Sequence, residues 1–252
     1  MNAEAIVLRT WPIREADQIV ALFTREFGKL KGVAKSAAKS RRRFGGALEP
    51  MTEARAWFAE RPRQELVRLD QLEIVRSPLA MPVDATRLGV LSFYAEVLDE
   101  ALPEHDPQDT IFRLTVSVLE QTTVQQPWMP LTYFTLWMTR LMGLLPDLGH
   151  CTACGEALRA GEIFFNGYAD GLFCEVHRHP HDEELAADSW QIALKMQRAP
   201  VGSFAGETWS PRRAQDLRRF TSQVLERHLE KRIRSAEMLA RIGSKAPTQN
   251  GG

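Results

Sequence analysis

Cys151 and Cys154 bracket two residues and are followed by Gly155; nineteen residues further on, Cys174 and His177 bracket two more. Two such pairs at this separation have the spacing of a zinc ribbon or knuckle. Each tight turn offers two soft or borderline donors, and four protein donors complete a tetrahedron with no position left for water. A closed site of that kind is structural. The metal would supply folding energy to an insert, residues 150–181, that reads as poor in large apolar side chains. The expected ligands of this structural Zn2+ are Cys151, Cys154, Cys174 and His177. His150, His179 and His181 lie close enough to compete for the fourth position, and free thiols in a metal-free hairpin are the alternative. Three cysteines, two of them close neighbours, are poor material for a disulfide framework. A zinc deaminase would need a His-x-Glu motif upstream of Pro-Cys-x-x-Cys and one open coordination position; here Gly149-His150 precedes Cys151 and the candidate histidine comes last.

The second chemical feature is a cationic run. Lys29, Lys31, Lys35, Lys39, Arg41, Arg42 and Arg43 occur within fifteen residues that contain no Asp or Glu. On a strand over KLKGVAK, the two-residue period puts Leu30, Gly32 and Ala34 inward and Lys29, Lys31 and Lys35 together on the other face, where ammonium groups can track a phosphate backbone. The same period on EARAWFA puts Ala54, Ala56 and Phe58 inward and leaves Arg55 and Trp57 outside as a cation and a stacking platform. The blander alternatives are a solvated loop for the run and a core position for Trp57, the phase being one residue off. A membrane-surface role lacks the apolar face it would need.

The elements that must position these groups change character along the chain. Up to residue 80, short apolar runs are cut by turn signals: EAIVLRT, QIVALFT, KLKGVAK, EARAWFA and ELVRLDQLEIV. Five short strands at this spacing predict a small barrel. Val67 and Leu69 share one phase and Leu72 and Ile74 the other, which predicts a bulge near Asp70 or Gln71. After Pro82 the period becomes helical. Leu88, Leu91, Tyr94, Leu98 and Leu102 form one stripe, Phe112, Val116 and Leu119 a second behind a cap at Asp109, and Leu131, Phe134, Met138, Leu141 and Leu144 a third. Beyond the cysteine insert, Ser210 and Pro211 read as the start of a helix carrying Leu217, Phe220 and Val224, with His228 as a core histidine on the same stripe. The chain thus divides into a barrel at 1–80, a helical domain at 81–149 and 182–243 interrupted by the insert at 150–181, and a disordered tail at 244–252. The fold class is α+β.

The formal net charge of zero hides a gradient. Residues 1–80 carry 15 Lys and Arg against 10 Asp and Glu, whereas residues 81–150 carry 3 against 9 and residues 183–252 carry 12 against 8. Polyanion binding is expected at the basic ends. Phosphate-loop, dinucleotide-loop and nucleophile-elbow motifs are absent, so no enzymatic activity is expected. No stretch approaches the roughly 20 apolar residues of a membrane span, and the first ten residues lack a signal-peptide pattern. A cytoplasmic, nucleoid-associated protein without a small-molecule substrate is the expectation.

Taken in order, EAIVLRT, ADQIVALFTREFGKLKGVAKSA, FGGALEP at Phe44–Pro50, CTACG and RRFTSQVLERHLEKRIRSAEML resemble the RecO family of recombination mediators over nearly the whole chain. The resemblance implies an N-terminal OB-fold, a helical domain and a zinc element. It also implies a protein that binds single- and double-stranded DNA, anneals complementary strands, works with RecR, contacts single-strand binding protein and so helps to load RecA. By motif, the basic residues of the family's OB-fold correspond to Lys29, Lys31, Lys35, Lys39 and Arg41 to Arg43. His177 stands where the family often has Cys. A pocket for the tail of single-strand binding protein is not carried over, because the third helix offers only Arg140 as a cation; Arg218 and Arg219 are the substitute expectation. An RNA-binding OB adaptor and a zinc-dependent nucleic-acid hydrolase or deaminase are the competing classes.

Overall fold

The computed structural model describes residues 1–60 and 64–245. Five strands, β1 (Asn2–Pro12), β2 (Gln18–Thr24), β3 (Gly28–Ala34), β4 (Glu53–Ala59) and β5 (Val67–Arg76), close into a barrel in the order β1-β2-β3-β5-β4. Five strands in this Greek-key arrangement are an OB-fold barrel. The inward alternation is the expected one: Leu30, Ala34, Ala54, Ala56, Phe58, Val67, Leu69 and Leu72 join Ala3, Ala5, Val7, Val20 and Leu22 in the barrel core. The phase slip in β5 is a bulge at Asp70, since Trp57 pairs with Gln71 but Phe58 with Leu69. A second bulge falls between Val7 and Arg9 of β1.

Between β3 and β4 the chain plugs the barrel. The short helix α1 (Arg41–Phe44) leads into the FGGALEP segment, and Phe44 and Ala47 enter the core from it. The segment is tied to β1 by hydrogen bonds from Met51 N to Val7 O and from Val7 N to Thr52 O.

Two helices, α2 (Ala85–Ala101) and α3 (Asp109–Gln121), follow the barrel, and residues 1–119 form one compact unit. The outward side chains of β1 and β2 explain why. Ile6, Leu8, Ala21 and Phe23 point away from the core cluster yet are buried, and the Phe23 and Phe112 rings meet edge to face at 5.4 Å. Helix α2 packs on β1 and is anchored at its N-terminus by Asp84, whose carboxylate accepts from Arg87 N at 2.7 Å. Leu88, expected on the buried stripe, is exposed; Arg87 is buried and donates to the carbonyls of Pro78, Met81 and Pro82. Asp109 is the first residue of α3 rather than its cap.

The second unit begins at Glu120. Its central helix, α4 (Trp128–Leu141), is buried nearly all round, as a core helix must be. Its threonines Thr132, Thr135 and Thr139 satisfy their hydroxyls on preceding carbonyls of the same helix. The helix stops three residues short of the expected Leu144: Leu144 N bonds Thr139 O and Gly143 N bonds Arg140 O, a Schellman closure that Gly143 announces in the sequence. Then come the insert strands β6 (Ile163–Phe165), β7 (Phe173–Cys174) and β8 (Glu183–Glu184), followed by α5 (Ala187–Met196), α6 (Gln215–His228) and α7 (Arg234–Lys245). Ser210 and Pro211 open a turn, and α6 itself starts only after Ala214, at φ 53°. His228 is exposed at the C-terminus of α6 and is no core histidine. Helix α7 extends two residues into the stretch expected to be a tail, whose remainder, residues 246–252, lies outside the described residues.

Candidate metal centre and nucleic-acid interface

The insert brings the four expected ligands together. One donor atom from each of Cys151, Cys154, Cys174 and His177 lies within 4.8 Å of the others. Cys154 Sγ is 3.9 Å from Cys174 Sγ, and Cys174 Sγ is 3.3 Å from His177 Nδ1. For a tetrahedral ion with metal–sulfur bonds near 2.3 Å and metal–nitrogen bonds near 2.0 Å, the corresponding edges are about 3.8 and 3.5 Å. The arrangement can therefore hold a metal ion with small side-chain adjustments. Each half is a local turn, the first closed by Gly155 N on Cys151 O at 2.8 Å and the second a single 3-10 turn over Glu175–His177, and Cys174 N points across to Cys151 Sγ at 3.4 Å. The halves meet where Thr152 N bonds Leu172 O, and a Cβ on Gly171 would fall 1.9 Å from Thr152 Oγ1, so only glycine fits there. Burial pushes the Cys151 thiol up, but the amides of Cys174, Cys154 and Ala153 outweigh it and hold its pKa below the ordinary value. The competing histidines lie elsewhere: His150 pairs with Asp147 at 2.7 Å, and His179 stacks on Phe173.

One expectation about the insert is overturned. It has its own apolar core, in which Ile163, Phe164, Phe165, Leu172 and Phe173 are buried, as is Leu185 just past residue 181, and the Phe165 ring meets Phe220 of α6 at 5.3 Å. A bound metal would not be the insert's sole source of folding energy.

The cationic run is divided by the fold. Lys29 is on the outer face of β3, as the period requires, but is 7% exposed and donates to Asp99 O. A buried ammonium bonded to a backbone carbonyl cannot follow a phosphate chain, and Lys29 leaves the set. Lys31 pairs with Glu104 at 2.5 Å; the hydrogen bond holds the lysine above its ordinary pKa and the glutamate below its own. Arg43 is half-buried, with its guanidinium on Lys35 O and Ser40 Oγ and over the Phe44 ring. Lys35, Lys39 and Arg42 are exposed and have no ion-pair partner among the described residues. The side chain of Arg41 lies outside the described residues. Arg55 is exposed on the outer face of β4 between Glu4 and Glu73 of the neighbouring strands, and half-buried Trp57 lies between Asn2 and Gln71. Strand β5 separates both from β3.

The register also assembles residues that sequence reasoning missed. Directly opposed residues share a face. Arg9, Ala21 and Lys31 therefore form one outer row across β1, β2 and β3, and Trp11, Ile19 and Val33 form the next, with Arg68 of β5 beyond. The second row is half-buried, the Arg9 guanidinium lies 5.2 Å from the Trp11 ring centroid, and Lys35 continues the outer phase at the end of β3. The result is an aromatic and aliphatic strip flanked by cations.

Arg218 is not an available cation. It is 8% exposed, donates to Thr132 Oγ1 at 2.8 Å, Arg213 O at 2.7 Å and Pro211 O, and lies over Trp128; burial lowers its pKa to about 10. Arg219 is exposed but paired with Glu183, and Arg140 lies over Trp137 and contacts Gln197.

Residues 1–78 match the family model for the recombination protein O N terminal and residues 82–237 that for the recombination protein O C terminal. The DNA repair protein RecO of Koribacter versatilis is 52% identical over 241 residues, 96% of this chain and 98% of its own. Those of Anaeromyxobacter sp. (strain K) and Pelotomaculum thermopropionicum are 33% and 30% identical, over 94% and 99% of this chain and 95% and 97% of theirs. The chain therefore belongs to the RecO family of DNA repair proteins.

Proposed function

We propose that the chain is a non-enzymatic recombination mediator whose barrel holds single-stranded DNA along the outer strip of β1, β2 and β3. The observation that carries this reading is the strip itself: Trp11, Ile19 and Val33 in one row, Arg9 and Lys31 in the next, and exposed Lys35, Lys39 and Arg42 at the strand end. Aromatic and aliphatic groups accept the faces of bases, cations accept phosphates, and neither selects a sequence. Arg55 and Trp57, beyond β5, are secondary contacts in this reading, and Arg41 and Arg43, in α1, belong to the same β3–β4 connection as Lys39 and Arg42.

Family membership supports the wider role: binding single and double strands, annealing complements, and acting with RecR to load RecA where single-strand binding protein coats DNA. It also supports a division into a DNA-binding barrel at 1–80 and a helical domain from 81 onward that carries the insert and meets partners. Structural Zn2+ on Cys151, Cys154, Cys174 and His177 fits the donor distances, and a closed four-ligand site would fix the insert without activating water. Among the described residues no helix is long and apolar enough to cross a membrane, which agrees with a cytoplasmic, nucleoid-associated protein.

The test is fluorescence anisotropy with a labelled single-stranded oligonucleotide. Trp11→Ala is expected to cost about 1–3 kcal/mol, a loss of about 5- to 150-fold in affinity. Equal affinity for matched DNA and RNA strands would favour the RNA adaptor, and an unchanged affinity in the folded variant would remove the strip from the site.

A further inference from the structure

The lower half of the barrel's outer face is closed by an acidic segment. Asp99 near the end of α2, Glu104 in the connection and Asp109 at the start of α3 meet Arg9 at 3.8 Å, Lys31 at 2.5 Å and Arg25 at 2.6 Å. Both partners are exposed in the Lys31–Glu104 and Arg25–Asp109 pairs, which hold little together, whereas Asp99 is 13% exposed and reaches the exposed Arg9 only at 3.8 Å. Docking of the segment is explained by other contacts. Leu98, Leu102, Ile111 and Phe112 are buried, and His105 N bonds Lys29 O at 3.0 Å. The backbone of Asp106 comes so close to Gly28 that a Cβ there would lie 2.4 Å from its carbonyl oxygen. The three carboxylates are thus placed on barrel cations by a scaffold that does not depend on them. They present anionic oxygens where a bound strand would present phosphates.

We propose that the Asp99–Asp109 segment is a built-in phosphate mimic that occupies Arg9 and Lys31 and must yield these cations before a nucleic-acid strand can use the adjoining strip. The inference rests on the nucleic-acid reading of the barrel. Yielding requires only side-chain rotation of Glu104 and Asp99, because the backbone contacts stay in place. In the closed state the Lys31 and Glu104 charges cancel, so strand contact there displaces a carboxylate instead of releasing a counterion. Lys35, Lys39 and Arg42, which have no ion-pair partner among the described residues, take no part in this competition.

The experiment is a salt titration of the affinity for labelled oligo(dT). In the wild type, Lys31→Ala should leave the slope of log affinity against log salt unchanged. Glu104→Gln should steepen it by about 0.7, the value of one additional phosphate neutralised on a single strand, and Lys31→Ala added to that variant should return it to the wild-type slope. Asp99→Asn with Arg9→Ala gives a second, independent cycle should Glu104→Gln melt early. An unchanged slope in Glu104→Gln, or a Lys31→Ala effect as large in the wild type as in the variant, overturns the mimic while leaving DNA binding intact. Absence of salt-dependent binding in every protein overturns the nucleic-acid reading, and the mimic with it.

Discussion

Replacing Lys35, Lys39 and Arg42 together by Ala gives a prediction whose size depends on the fold. The sequence offers seven cations between residues 29 and 43. If all seven met phosphates, their removal would flatten the salt slope on single strands by about 4.9, at about 0.7 per phosphate. The structure leaves fewer: Lys29 is buried, Lys31 is paired with Glu104, and the guanidinium of Arg43 is committed to Lys35 O and Ser40 Oγ. Among the described side chains of the run, three exposed cations remain, Lys35, Lys39 and Arg42, and their removal gives a change of about 2.1. Between 50 and 200 mM salt, the wild type should then lose about 18-fold more affinity than the triple variant. Anisotropy titrations at four or five salt concentrations measure this directly. All three side chains are solvent-facing, so the variant should melt within a degree or two of the wild type. A slope that does not change would refute the assignment of the strand end of β3 to the site.

Phe44→Ala empties a fully buried position in the barrel plug and should cost about 3–5 kcal/mol, read as a lower denaturant midpoint at unchanged slope. Cys174→Ser removes the thiol that meets both Cys154 and His177, so metal content per chain should fall to background. Phe165 should nevertheless stay protected on Phe220, and complete unfolding of the insert in hydrogen exchange would contradict its apolar core. Glu104→Gln bears on pH. Glu104 has a depressed pKa, so the stability it contributes is present above the ordinary carboxylate range and is lost as pH falls through its folded value; the raised pKa of Lys31 extends the contribution upward until that group titrates. The pair is well exposed, so the variant should lose less than about 1 kcal/mol at pH 7, and the difference from wild type should vanish at strongly acidic pH. A larger loss would mean that the pair helps to dock the segment.

The barrel was legible because turn residues and alternation agree across its five strands. Even the Asp70 bulge announces itself, as a change of phase between Leu69 and Leu72. In β1 the same device conceals the site. The bulge between Val7 and Arg9 turns Arg9 and Trp11 outward, but the apolar run Ile6-Val7-Leu8 shows no alternation from which to read it. The fate of Lys29 and Lys31 depends on residues some seventy positions away, beyond the reach of any local period. In the insert, the ligand spacing could be read because metal geometry is local, whereas the core around Phe165 needed α6 to complete it. Arg218 and Arg219 are adjacent and alike in sequence; helical rotation alone buries one over Trp128 and leaves the other at the surface with Glu183.

In the proposed function, the outer strip of the barrel and the cations at the end of β3 hold DNA for annealing without nucleotide hydrolysis. The direct measurement is annealing of complementary strands, without ATP, by the wild type and by a variant with Trp11, Lys35, Lys39 and Arg42 all replaced by Ala. Annealing by the wild type and its loss in a variant that melts like the wild type is the predicted result. Equal annealing by the two proteins would place the DNA site elsewhere and contradict the account.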